Sequence, residues 1–271
     1  MKSDSQLIST HKFARRLAID AGNLLKAGFN RRMKISYKGR IDPVTEVDLR
    51  SEKFIVAQIK SRFPGHDIVT EENTAGRISG AEYRWIIDPL DGTVNFSHGF
   101  PIYCVSIALE HKGEVIIGAV CDPERGELFH AVLGGGAYVN SERIHVSREK
   151  RLERALLATG FAYDIATSPQ NNLGYFARMA KKAQGVRRPG SAAIDICWLA
   201  AGRLDGFWEL KLHPWDTAAA DLILQEAGGK RTRLNGQAYS IYHPDMLASN
   251  GLIHGAMQKA LGVTKRTRIA R

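Results

Sequence analysis

The stretch Trp85-Ile86-Ile87-Asp88-Pro89-Leu90-Asp91-Gly92-Thr93-Val94-Asn95-Phe96 carries the densest chemistry in the chain. An apolar run ends abruptly in two carboxylates separated by a proline-containing turn. Pro89 fixes its own φ and offers no N–H to a ladder, so the spacing predicts that the strand stops there. Gly92 permits a close or unusual backbone approach, and Thr93 sets a hydroxyl beside it. Two carboxylates and a backbone carbonyl aimed at one spot are hard oxygen donors, the set that suits Mg2+. The Asp-Pro pair alone reads better as a solvated turn. The whole string favours a cation.

Two further segments bring carboxylates. Glu71-Glu72 follows directly on the strand-like run Asp67–Thr70. Adjacent acids at a strand end repel unless they are solvated or hold a cation, and alone this pair reads as a solvated turn. His213-Pro214-Trp215-Asp216 precedes Thr217–Glu226 and Gly228-Gly229. Asp216 stands where an N-cap belongs, and the glycines stand where the helix should end. The same helix start can aim Asp216 at a cation, while Ala218, Ala219 and Ala220 allow close packing. A plain cap is the competing reading, and this segment alone does not decide between them.

The elements that must position these groups follow from periodicity. Residues 5–29 read as an amphipathic helix. A second helix starts at Thr45, with Asp48 in place of the usual Glu of a capping box, and Pro64-Gly65 ends it. Strand-like runs at Asp67–Thr70, Tyr83–Asp88, Val105–Leu109, Val115–Val120, Glu127–Val132 and Ala137–Asn140 read as an antiparallel meander. Helical patterns near 172–183, 191–202, 216–227 and 252–261 then alternate with short strands near Val186, Gly206–Glu209 and Met246–Ser249. The expectation is an α/β (α+β) sandwich within one domain, 1–271, with an N-terminal half of about 1–145 and a C-terminal half of about 146–265. Gly134-Gly135-Gly136 lacks G-x-G-x-x-G spacing and reads as a tight turn.

Composition narrows the class. With 271 residues, 44% of them hydrophobic, the chain can bury a sizeable core and shows no sign of disorder. Its apolar runs fall far short of the ~20 residues that cross a bilayer, so no membrane role is expected. The N-terminus, broken by His11, Lys12, Arg15, Arg16 and Asp20, is not expected to be a secretory signal. Cys104, Cys121 and Cys197 form no C-x-x-C pair, which speaks against zinc and disulfides and for a reducing cytoplasm. The net charge of +10 suits anionic ligands, including phosphorylated small molecules and nucleic acid. The basic residues are mostly scattered, apart from clusters such as the tail at 265–271.

Taken together, Asp88–Phe96 and Trp215–Gly229 closely resemble the two signature motifs of the inositol monophosphatase family. Glu71-Glu72 matches a third segment, and Lys38 through Asp48 matches the family's N-terminal stretch. The likeness covers residues 10 to 260, with Thr70 standing where the family usually has Gly. Lys211 stands where a smaller residue is frequent, near the substrate mouth. The resemblance implies a layered αβαβα sandwich and Mg2+-dependent hydrolysis of a small phosphorylated polyol or sugar, inositol monophosphate first. It implies two or three Mg2+ ions: Glu71, Asp88 and the Leu90 carbonyl for the first, Asp88, Asp91 and Asp216 for the second, and Glu71 for a weaker third. Phosphate is expected on the Gly92 and Thr93 amides, with Arg187, Gly190, Ser191, Glu209, Asp91 and Asp216 bordering the substrate. Water is the implied nucleophile, deprotonated through Thr93 and Asp48 or by Glu71. Lithium sensitivity and a homodimer are further implications.

Other readings differ in testable ways. Haloacid-dehalogenase-type enzymes use a strand-end Asp as nucleophile, but with one residue between their paired aspartates; here two separate Asp88 from Asp91. Fructose 1,6-bisphosphate, histidinol phosphate and 3′-phosphoadenosine phosphates are substrates of the resembling superfamily. An RNA-linked regulatory role, with RNA or the transcription machinery as partner, is compatible with the +10 charge. No RNA-binding motif with stacking aromatics accompanies it.

Overall fold

The computed structural model describes residues 4–29, 31, 35–37, 43–72 and 79–262. Lys38, Asp42 and the basic tail at 265–271 lie outside the described residues. In chain order the elements are α1 (Asp4–Gly28), β1 (Ile35–Tyr37), β2 (Pro43–Thr45), α2 (Glu46–Arg62), β3 (Asp67–Thr70), β4 (Tyr83–Asp91) and α3 (Thr93–Ser97). There follow β5 (Cys104–His111), β6 (Glu114–Asp122), β7 (Glu127–Val132), β8 (Ala137–Val139), β9 (Glu142–Arg143) and β10 (Leu156–Thr159). The remainder comprises α4 (Leu173–Ala180), β11 (Gly185–Arg187), α5 (Ala192–Ala200), β12 (Gly206–Leu210), α6 (Pro214–Glu226), β13 (Lys230–Thr232), β14 (Asp245–Ser249) and α7 (His254–Leu261).

Seven strands make one sheet in the order β3 to β9, antiparallel except for the parallel β3–β4 pair. Five strands make a second, ordered β11-β10-β12-β14-β13 and mixed in direction, and β1 pairs with β2 in a separate two-stranded antiparallel sheet. Strand periodicity splits β4 between two cores: Trp85 and Ile87 face α1 and α2, whereas Ile86 faces the helices on the other side. Those central helices are α5 and α6. The run Ala-Ala-Ile-Asp-Ile-Cys-Trp-Leu-Ala of α5 is apolar nearly all round, as a helix enclosed between two sheets must be. On the outer face of the smaller sheet, Met179 of α4 and Met257 of α7 pack with Trp208 and Leu247. The layers are helix, sheet, helix, sheet, helix. Close packing of the middle layer needs a glycine in β6, since a Cβ on Gly118 would lie 2.5 Å from the Ala219 carbonyl oxygen.

Two local expectations are corrected. The strand does not stop at Pro89: β4 continues to Asp91, with its register against β5 shifted between Asp88 and Asp91. β3 pairs with β4 only as far as Ile87, so the proline lies in a bulge where its missing N–H leaves no ladder bond unmade. Asp216 is not the N-cap of α6. His213 holds that place, Pro214 opens the helix, and Asp216 is the third helical residue whose Oδ2 accepts the His213 N–H at 2.7 Å. That is the reciprocal half of a capping box. The glycine triplet does form the turn between β7 and β8, as its spacing predicts.

Candidate active site

Asp48, Ser51 and Glu52 lie on one face of α2 and are all buried. Thr45 caps the helix, its hydroxyl accepting the Val47 and Asp48 N–H groups while Asp48 Oδ2 takes the Thr45 N–H at 2.9 Å. Ser51 Oγ donates to the Pro89 carbonyl at 2.9 Å, which fixes the β4 bulge. Glu52 accepts the Glu72 N–H at 2.9 Å, which fixes the turn leaving β3. One helix face thus sets the orientation of two acid-bearing turns.

Those turns open on a cleft of about 490 Å3, lined by Glu71, Asp88, Leu90, Asp91, Gly92 and Thr93 on one side. Gly190, Ser191, Glu209 and Asp216 line it from the other. Gly92 holds φ at 95°, and a Cβ there would come within 2.8 Å of the Ile102 carbonyl oxygen, so this turn requires glycine. Asp91 Oδ2 accepts from Ser191 Oγ at 2.7 Å and from the Ala193 N–H at 2.8 Å, at the start of α5. Asp88 Oδ1 accepts the Leu90 N–H at 3.0 Å. Thr93 Oγ1 lies 3.2 Å from Asp48 Oδ1 and 3.0 Å from the Leu90 carbonyl oxygen. A hydroxyl has one proton, so it donates to one of these at a time.

The electrostatics are those of an overfilled anionic site. Burial pushes the Asp88 carboxyl well above the usual range, and the charges of Glu71, Asp91 and Asp216 push it further. Asp216 is raised well above its ordinary value by burial, against the His213 N–H, with Asp91, Glu71 and Glu209 adding to the rise. Burial also lifts Asp91, although Ser191 and the α5 amides oppose it. Glu209 rises to about 8, first from burial and then from Asp91, while Arg188 pulls it down. Behind the cleft, burial raises Asp48 to about 6 despite its bonds to Thr45. Among the described residues, no three His, Cys, Asp or Glu side chains are already closed into a cation cage. The donor set nonetheless fits a hard divalent cation, being all oxygen and carrying more negative charge than a dry cleft tolerates.

The residues predicted from sequence line this cleft except Asp48, which stands behind it and contacts Thr93, and Arg187. Arg187 is exposed on β11 and does not line the cleft; its neighbour Arg188 does. Asp195 was not anticipated. It lies in the apolar run of α5, lines the cleft, and has one carboxylate oxygen without a hydrogen-bond partner among the described residues. A single acid in an otherwise apolar helix was the signal that could have found it.

A model of the inositol monophosphatase family matches residues 7–268. The chain belongs to that family. Membership places it among the phosphatases, and the layered sandwich agrees: the chain is 39% identical to an inositol monophosphatase from Anabaena, with a TM-score of 0.87 over 95% of this chain and 96% of that one. A chloroplastic phosphatase of Arabidopsis thaliana is 41% identical over 83% of this chain, and the match spans 62% of the plant protein. A Nus factor of Pasteurella multocida is 41% identical over 82% of this chain and 84% of its own length. Among the described residues of this family member, no helix is long and apolar enough to cross a membrane.

Proposed function

We propose that this phosphatase hydrolyses inositol monophosphate with Mg2+ as its cofactor, by in-line attack of water on phosphorus. The observation that carries the reading is the set of four mutually repelling carboxylates, Glu71, Asp88, Asp91 and Asp216, on one small cleft beside a glycine–threonine turn. These acids and the Leu90 carbonyl would hold two or three Mg2+ ions. When bound, the ions would neutralise charge on the phosphate, lower the pKa of a water and orient the reacting oxygens.

The chain's own groups do the rest. The Gly92 and Thr93 amides face phosphate oxygens. The Thr93 hydroxyl takes the water proton as it gives its own to Asp48, whose raised value near 6 makes it a competent base. Glu71 is the other candidate for this role. Hydroxide joins phosphorus, the ester P–O bond breaks, and the alcohol departs with a proton from solvent. Gly190, Ser191, Asp216 and Glu209 border the ring, with Arg188 rather than Arg187 supplying a positive charge near it.

Phosphate release should be measured on inositol monophosphates, fructose 1,6-bisphosphate, histidinol phosphate and 3′-phosphoadenosine phosphate, with Mg2+, with EDTA and with added Li+. The expected result is fastest turnover of an inositol monophosphate, none in EDTA, and inhibition by Li+. Preference for another ester by orders of magnitude would end the substrate assignment. A second reading, an RNA-linked role, is supported by the +10 charge and by the name of the Pasteurella relative. Salt-dependent RNA binding by a chain inactive on every ester would favour it over the enzyme.

A further inference from the structure

Lys211 stands between Glu209 and His213 in the link from β12 to α6, with its backbone left-handed at φ 62°. A residue with a Cβ is disfavoured there, whereas glycine fits without strain. The chain nonetheless places a long cation at this point. Its Nζ reaches Asp164 and, at 2.7 Å, Ser168 Oγ. Both partners belong to the excursion of residues 160–172 between β10 and α4. Phe161, Tyr163 and Asp164 from that excursion line the cleft, and so do Leu210 and Lys211.

The base of the excursion is pinned independently. Asn172 Nδ2 donates to Thr159 Oγ1 at 2.9 Å and to the Gly160 carbonyl at 2.7 Å, and its Oδ1 accepts the Trp208 indole N–H at 2.7 Å. The segment is therefore fixed at its ends by buried bonds and part-way along through Lys211. Backbone strain retained at the lip of a cleft points to use at that cleft.

We infer that Lys211, acting through Asp164 and Ser168, straps residues 160–172 beside the mouth and limits the size of the alcohol a substrate carries into the site. The inference rests on the phosphomonoesterase reading above and refines its substrate class. The strap acts through size rather than charge because Asp164 compensates the Lys211 ammonium, so the latch itself offers no net charge to a substrate. The Lys211 and Asp164 side chains are 28% and 48% exposed, and pairs so exposed hold weakly.

Lys211→Gly removes the latch and the backbone strain together; Asp164→Asn removes it from the opposite side. Dissociation constants and kcat/KM are read in Mg2+ for inositol 1-phosphate and for 2′-AMP, whose alcohol is larger. Both variants should shift preference toward 2′-AMP by about threefold to fivefold, the most that so exposed a pair can supply, with the shift in KM rather than kcat. Lys211→Arg should keep the wild-type ratio. Chymotrypsin should cut after Tyr163 several-fold faster in the Gly and Asn variants but not in the Arg variant. An unchanged preference, or unchanged cutting, overturns the strap. Wild-type protein inactive on both esters sinks the proposed function instead, and the binding ratio and cutting rate still decide the role of Lys211.

Discussion

Asp91→Asn separates chemistry from folding at the centre of the cleft. Asparagine keeps the shape of the side chain and a carbonyl oxygen that Ser191 Oγ and the Ala193 N–H can still use. Exchanging a charged acceptor for a neutral one weakens each bond by roughly 1 kcal/mol, about 2 kcal/mol for the pair. Against this, the substitution removes a buried charge that pushes Asp88, Asp216, Glu209 and Asp195 upward. The two effects oppose, so stability in EDTA should change by no more than about 1 kcal/mol, roughly 2–4 °C in Tm. Activity should behave differently. Asp91 acts through the Mg2+ it would hold, and weakening that source of transition-state charge stabilisation costs on the order of 10²–10³ in kcat. Mg2+ at about 100 times its Kd should stabilise the wild type by roughly 2.7 kcal/mol, and the variant by much less. The assays are phosphate release and thermal unfolding with and without Mg2+. Wild-type kcat, or an equal Mg2+ shift in Tm, would remove Asp91 from the site. A collapse of Tm in EDTA would make its bonds to α5 structural.

Thr93→Ala deletes the hydroxyl between Asp48 and the Leu90 carbonyl. It should lower kcat by about 10²–10⁴ with little change in KM, and an unaltered kcat would pass the base role to Glu71. His254 is buried between Ser249 Oγ and Thr232 Oγ1, and burial followed by the Lys230 charge lowers it to about 4. The unfolded chain therefore takes up a proton near pH 6.5 that the folded chain refuses until about pH 4. This contribution is complete above pH 6.5 and is lost as pH falls toward 4. The raised carboxyls of Asp48 and Glu209 work in the opposite sense, so the measurement is the Tm gap between wild type and His254→Asn. It should narrow from pH 7.5 to pH 4.5; a constant gap refutes the reasoning.

How far sequence reaches depends on whether a feature is local. The Thr45–Asp48 capping box involves neighbours three residues apart, and both its reciprocal bonds are present. β3 and β7 begin and end where their turn residues place them. β10 and β13 were not anticipated, since β10 has four residues, β13 has three, and both are defined by pairing with distant strands. Arg187 and Arg188 show the same limit on a finer scale. Successive side chains near a strand point to opposite faces, so a motif that locates the pair to within one residue can still select the wrong face. The left-handed backbone of Lys211 had no local signal, because lysine carries none of glycine's conformational preference.

The acids themselves were legible for a reason that also explains their placement. Glu71 follows the end of β3, Asp88 and Asp91 flank the β4 bulge, and Asp216 sits in the first turn of α6. Each is at an element boundary or, for Asp88, at a bulge within a strand, where Pro, Gly and capping residues leave marks in the sequence. Boundaries are also where carboxylates can be buried with partial compensation, because free N–H groups gather there: Leu90 for Asp88, Ala193 for Asp91, His213 for Asp216. That compensation is incomplete, as the upward shifts of all three carboxyls attest. Full compensation by backbone donors would have left nothing for a cation to neutralise. The site is therefore anchored by the same amides that keep the acids in place, and the unmet part of their charge is what can bind.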